Sequence, residues 1–140
     1  MAYIPKDEFS EQKSICQYLS LQYPNVIFAS DLSGIKLSKG LALKIKSLKC
    51  SRGIPDLFIY EPRKGYCGLA IELKATGVTV YKQDGNLKTD THLQEQEEML
   101  LRLSQKGYLA VFCLGFDNAK LIIDSYLKWF FDYFLGILTK

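Results

Sequence analysis

A chain of 140 residues is the size of one ordinary domain, long enough to bury a core. With 48% hydrophobic and 24% charged residues it has the composition of a folded globule, which excludes a disordered chain. The net charge of +3 says little about partners by its total. In chain order, Ser10 to Gln22 carries Ile15, Tyr18 and Leu19 at helical spacing, and Pro24 ends that helix. Val26 to Ala29 is a short strand, followed by the turn-like Asp31, Leu32, Ser33 and Gly34. Lys39 to Lys49 reads as a second, basic helix with Leu41, Ile45 and Leu48 on one side, broken by Arg52-Gly53-Ile54-Pro55. Asp56 to Tyr60 and Gly68 to Ala75 form the two strands of a hairpin turning through Pro62 and Gly65. Val78 to Tyr81 and Asn86 to Lys88 flank Asp84-Gly85, which predicts a second, more exposed hairpin arm. Thr89 or Asp90 caps a helix running to about Gln105, where Gly107 ends it. Tyr108 to Leu114 is a buried strand, and Asn118 to about Leu138 a final helix. The alternation predicts an α/β sandwich around a small mixed sheet, with residues 1–140 forming a single domain.

The cysteines Cys16, Cys50, Cys67 and Cys113 form no CxxC pair, which argues against a structural zinc site or a disulfide framework. Charges in MAYIPKDEF exclude the apolar run of a signal peptide, so a cytoplasmic location is expected. The C-terminal segment is the most apolar, but Asp124, Lys128 and Asp132 interrupt it well short of the roughly 20 apolar residues of a membrane span.

Polar residues placed where the pattern calls for apolar ones carry the chemical signal. Glu11 precedes Ile15 and Leu19 at steps of four, on the face of the first helix that packs inward. Gln96 shares a helix face with Leu93, Leu100 and Leu103. Glu72 and Lys74, two apart on a strand, project from the same side of the sheet. Each has a plain structural alternative: a cross-strand surface pair for Glu72 and Lys74, a turn residue for Asp56, a first-turn acid for Glu11, a core border for Gln96. Together they suggest carboxylates converging on a cation, because a buried charge otherwise costs several kcal/mol. Hydrolysis of a phosphodiester needs such carboxylates to hold Mg²⁺ or Mn²⁺, and a nearby lysine to orient water and stabilise charge.

At these residues the chain resembles a known family. Pro55-Asp56, fifteen intervening residues and Glu72-Leu73-Lys74 match the PD-(D/E)xK signature of restriction-endonuclease-like nucleases. The wider pattern is similar to the VRR-NUC branch: Glu11, Ser33-Gly34, Gly53-Ile54-Pro55-Asp56-Leu57, Ile71-Glu72-Leu73-Lys74, Gln96 with Leu100 and Leu103, and Gly107-Tyr108. The similarity spans about residues 8–127. It implies an αβββαβ core, with a small mixed sheet flanked by helices. It also implies a metal-dependent endonuclease acting on DNA, with Mg²⁺ (or Mn²⁺ in its place) and no organic cofactor. Asp56, Glu72, the Leu73 backbone carbonyl and Glu11 would be metal ligands, Lys74 the catalytic lysine, and Gln96 an orienting residue. Stand-alone members are similar to Holliday-junction resolvases, homodimers that cut branched DNA, and Ser33 matches a loop serine that assists their site. A bacterial or phage setting is expected. The alternatives are a non-specific nicking or double-strand nuclease, and a non-catalytic DNA-binding module on the same fold.

Between Asp31 and Asp56 lie Lys36, Lys39, Lys44, Lys46, Lys49 and Arg52, with no acidic residue. This is either a phosphate-binding footprint or a solvated helix face. Lys82 and Lys88 of the predicted arm are further DNA contacts. The single histidine, His92, is read as peripheral to the site. On the final helix Ile122, Tyr126, Trp129, Phe130, Tyr133, Phe134 and Ile137 form one apolar stripe, and Ile123, Leu127, Phe131 and Leu135 a second. One stripe covers the sheet; the second is either further core or a homodimer contact over 118–138.

Overall fold

The computed structural model describes residues 7–32 and 35–128. Within them the order is α1 (Glu8–Gln22), β1 (Phe28–Ser30), α2 (Lys39–Ser47), β2 (Leu57–Ile59), β3 (Leu69–Lys74), α3 (Thr91–Gln105), β4 (Leu109–Leu114) and α4 (Gly115–Leu127). This is the expected αβββαβ order, with the basic helix α2 set between β1 and β2. The strands lie in the order β1-β2-β3-β4. β1, β2 and β3 pair antiparallel, whereas β4 runs parallel to β3 because α3 carries the chain back between them.

Every residue of β3 is buried, which requires cover on both faces of the sheet. Leu69, Ile71 and Leu73 point into a core with Ile15 and Leu19 of α1 and Ala119, Ile123, Tyr126 and Leu127 of α4. The pleat turns Ala70, Glu72 and Lys74 the other way, toward α3, whose Gln96, Met99 and Leu100 are buried.

Asp7 caps α1 by accepting from Ser10 N at 2.7 Å, which starts this helix ahead of the expected Ser10. Asp90 caps α3 by accepting from Leu93 N at 3.0 Å. α4 begins at Gly115, ahead of the expected Asn118, and its N-cap, Leu114, offers no side-chain acceptor. Glu11 supplies one from α1: its Oε2 accepts from Phe116 N at 2.8 Å and its Oε1 from Thr76 Oγ1 at 2.7 Å. A carboxylate at a helix N-terminus satisfies an orphan N–H and faces the positive end of the dipole. Gly115 has φ +76, and a Cβ there would meet Thr76 Oγ1 at 2.0 Å, so this junction admits only glycine.

One expectation is corrected. β4 is half-buried along most of its length instead of fully buried, because it lies at the sheet edge, with no described strand beyond it. Residues 78–88 form the expected, more exposed hairpin arm, in which Lys82 N donates to Asn86 O at 2.7 Å and Lys88 N to Val80 O at 3.0 Å about the turn at Asp84-Gly85. They make one bridge, Tyr81 to Leu87, and the arm is held down by buried Val80 and by Tyr81 packed edge-on against Phe112.

Asp124 fastens α4 to α1, accepting from Tyr18 Oη at 2.6 Å, Tyr23 Oη at 2.5 Å and Lys120 Nζ at 2.8 Å. Burial pushes its carboxyl up, but those hydrogen bonds and nearby Lys128 outweigh it and bring the pKa down to about 2, from an ordinary 3.8. A depressed acid adds stability that is complete above its unfolded pKa and is lost as pH falls through the folded one. We predict that Asp124→Asn lowers stability at neutral pH by roughly 1–2 kcal/mol, and that the gap from wild type closes between about pH 4 and pH 2. Urea titrations across that range test this; a gap independent of pH would rule out the ionised-acid account.

Candidate active site

Asp56 stands just ahead of β2, Glu72 and Lys74 lie in β3, and Gln96 is in α3. All are nearly inaccessible, at 4%, 2%, 8% and 5% exposure, and so pay a desolvation penalty that needs compensation. Asp56 Oδ2 accepts from Leu73 N at 2.8 Å, tying the start of β2 to the strand that carries the other two. Lys74 Nζ donates to Glu72 Oε1 at 3.1 Å, and Gln96 Nε2 donates to the same oxygen. The structure therefore brings Asp56, Glu72, Lys74 and Gln96 together.

The loop ahead of Asp56 is held on both sides. Gly53 has φ +76, and a Cβ there would lie 2.7 Å from Glu95 O, so glycine alone lets this loop rest on α3 beside Gln96. On the other side Gln12 Nε2 donates to Ser30 Oγ at 2.6 Å and Asp31 O at 2.8 Å, and Ser30 Oγ donates to Asp56 O at 3.1 Å. Gln12 is a positioning residue that sequence reasoning missed.

Glu72 and Asp56 line a cleft together with Glu8, His92, Glu95, Gln96 and residues of α2. Glu11 is not brought to this cleft. It lies on the α1–α4 side of the sheet, where it caps α4, and Glu8 is the α1 acid that faces Asp56 and Lys74. The spacing permitted either choice: 11-15-19 and 8-12-15-19 both run along one flank of a helix. His92, read as peripheral, is also at the cleft, with Nε2 at 3.2 Å from Gln96 Nε2.

Burial raises the Glu72 carboxyl, and the charge of Asp56 adds to it; together they outweigh Lys74 and push the pKa up to about 8. Burial likewise raises Glu8, against the pull of Lys74 and with Asp56 adding to the rise. Gln96 Oε1 is buried with no hydrogen-bond partner among the described residues. Acids that resist ionisation beside an unsatisfied buried oxygen fit a hard divalent cation with oxygen ligands. Among the described residues no three His, Cys, Asp or Glu side chains form a closed cage, so such an ion would be held by Asp56 and Glu72 with backbone oxygen and water completing the shell.

The basic residues divide. Lys46, Lys49 and Arg52 line the cleft, but Lys49 is paired with Asp31 at 2.5 Å, and Arg52 lies 3.9 Å from Glu95. Lys36, Lys39 and Lys44 are exposed away from it. Lys82 is exposed on the 78–88 arm, and Lys88 Nζ donates to Thr79 Oγ1 at 2.5 Å. Ser33, and the C-terminal stripe from Trp129 onward, lie outside the described residues.

No protein-family model and no curated protein matches this sequence. A solved structure described as a "VRR_NUC domain protein" matches with a TM-score of 0.62, over 89% of this chain and 91% of that one, at 23% identity. The chain has the fold of a VRR_NUC domain protein. In this chain the start of β2, the middle of β3 and α3 each contribute residues to a common cleft. Among the described residues no helix is long and apolar enough to cross a membrane.

We predict that Glu11→Ala costs about 1–3 kcal/mol, since it leaves a partly buried helix-end N–H unsatisfied. Glu8→Ala should change stability by no more than about 0.5 kcal/mol. Urea unfolding of both variants checks this, and a Glu11→Ala protein as stable as wild type would refute the capping role.

Proposed function

We propose that this chain is a divalent-metal-dependent endonuclease that hydrolyses DNA phosphodiester bonds, a VRR-NUC nuclease of the PD-(D/E)xK superfamily acting on branched DNA. The observation that carries this reading is the meeting of Asp56, Glu72 and Gln96 in one cleft lined also by Lys46 and Arg52, with Lys74 hydrogen-bonded to Glu72. The fold shared with a VRR_NUC domain protein supports it. A buried Lys74–Glu72 pair beside Asp56, with Glu72 resisting ionisation, favours the catalytic reading over a non-catalytic binding module.

Asp56, Glu72 and the Leu73 carbonyl would hold Mg²⁺, or Mn²⁺ in its place, which when bound polarises the phosphate and lowers the pKa of water. Leu73 N–H fixes the Asp56 carboxylate, and Gln96 holds Glu72 at a set angle. Lys74 Nζ orients the attacking water and places positive charge beside the phosphoryl oxygens while the new P–O bond forms and the ester P–O bond breaks. Glu8 takes the part that the resemblance gave to Glu11, as the α1 acid at the cleft. Lys46 and Arg52 neutralise flanking phosphates without reading sequence. A homodimer fits junction cutting at two symmetric positions.

Labelled four-way junction, flap and linear duplex, each with Mg²⁺, Mn²⁺ or EDTA, test the proposal. We predict metal-dependent cleavage with the junction preferred, lost by about 10²–10³-fold in Lys74→Ala while DNA binding stays within about twofold. Absence of cleavage on every structure with both metals would defeat the proposal. Metal binding has its own readout: at about 100 times its Kd, Mg²⁺ or Mn²⁺ should stabilise the native state by about 2.7 kcal/mol, and Glu72→Gln should abolish that shift.

A further inference from the structure

The cleft has a volume of about 480 Å³, within the range of pockets that enclose a small ligand. Its lining is of two chemistries. Asp56, Glu72 and Gln96 contribute polar groups, and Leu32, Leu37, Ala42, Ile45 and Ile54 contribute an apolar wall. Leu37, Ile45 and Ile54 are held half-exposed there, and Leu32 is 43% exposed. Contact with an intact duplex backbone calls for cations and hydrogen-bond donors, so an apolar wall beside the cutting residues adds nothing to it. An unstacked nucleobase does need such a wall, because leaving the stack exposes its apolar faces.

Resting on the nuclease reading above, we propose that this wall receives an unpaired nucleobase adjacent to the scissile phosphate. Charge complementarity selects a nucleic acid as occupant. From residue 32 to residue 55 the chain has no acidic residue, and Lys46 and Arg52 stand beside the wall where flanking phosphates would lie. None of the side chains of α2 is buried, so the helix carrying Ala42 and Ile45 can adjust around a base without breaking a core. A base at a branch point opens at lower cost than one inside a duplex, and an unpaired base avoids the cost of a few kcal/mol altogether, so DNA with such sites is favoured over intact duplex.

The probe is a DNA duplex carrying 2-aminopurine, either unpaired at a one-nucleotide bulge or paired in the same sequence. Binding in EDTA should change the fluorescence of the unpaired probe alone. With Mg²⁺ the bulged strand should be cut about tenfold faster than the paired one. Leu37→Ala combined with Ile45→Ala should halve the fluorescence response or more and erase the rate preference. Affinity for the paired duplex and the melting temperature should hold, and Leu37→Met with Ile45→Leu should restore both effects. A fluorescence response without cleavage supports the base site and sinks the nuclease reading. Equal cutting of both probes with no fluorescence response overturns the base site and leaves the nuclease standing. Self-association lost in the alanine pair, with no fluorescence response, overturns it in favour of a contact between copies.

Discussion

Glu72 occupies the middle of a strand whose every side chain is buried, and its neighbours are arranged to make that placement tolerable. An ion pair with Lys74 at 3.1 Å would by itself favour the charged carboxylate. Desolvation and the negative charge of Asp56 nevertheless win, and the acid holds its proton more tightly than an exposed one. Gln96 reaches across from α3 to the same oxygen, and its own carbonyl oxygen has no partner among the described residues. A site in this condition is under-compensated for structure and suited to a cation, which is the physical basis for reading it as catalytic.

The surrounding architecture keeps that group in place. Asp56 is secured through the Leu73 N–H on one side and through Ser30 and Gln12 on the other. Gly53 lets the approaching loop lie against the backbone of α3. The two acids of the first turn of α1 divide the work, Glu8 facing the cleft and Glu11 closing the N-terminus of α4. The Asp124 cluster then locks α1 to α4, so the helix presenting Glu8 and Gln12 is fixed from behind.

α2 is the contrast. It is capped by Ser38, accepting from Leu41 N at 3.3 Å, yet none of its side chains is buried. A helix whose stability does not come from packing is free to shift when a charged ligand arrives. Lys46 and the half-buried Ile45 of this helix line the same cleft as Asp56 and Glu72.

From sequence alone the order of elements, the hairpin carrying Asp56 and Glu72, and the inward direction of Gln96 were legible. Periodicity and turn chemistry are local properties, and they state which face of an element is polar against expectation. The strand period places Glu72 and Lys74 on one side, and no distant residue can change that. Tertiary structure alone decided which acid of α1 meets the cleft, because Glu8 and Glu11 differ by less than one helical turn and only the packing angle against β3 and α4 separates them. It also left β4 half-buried at the sheet edge, and brought in Gln12 and His92. Each of these depends on neighbours far away along the chain, where local pattern carries no signal.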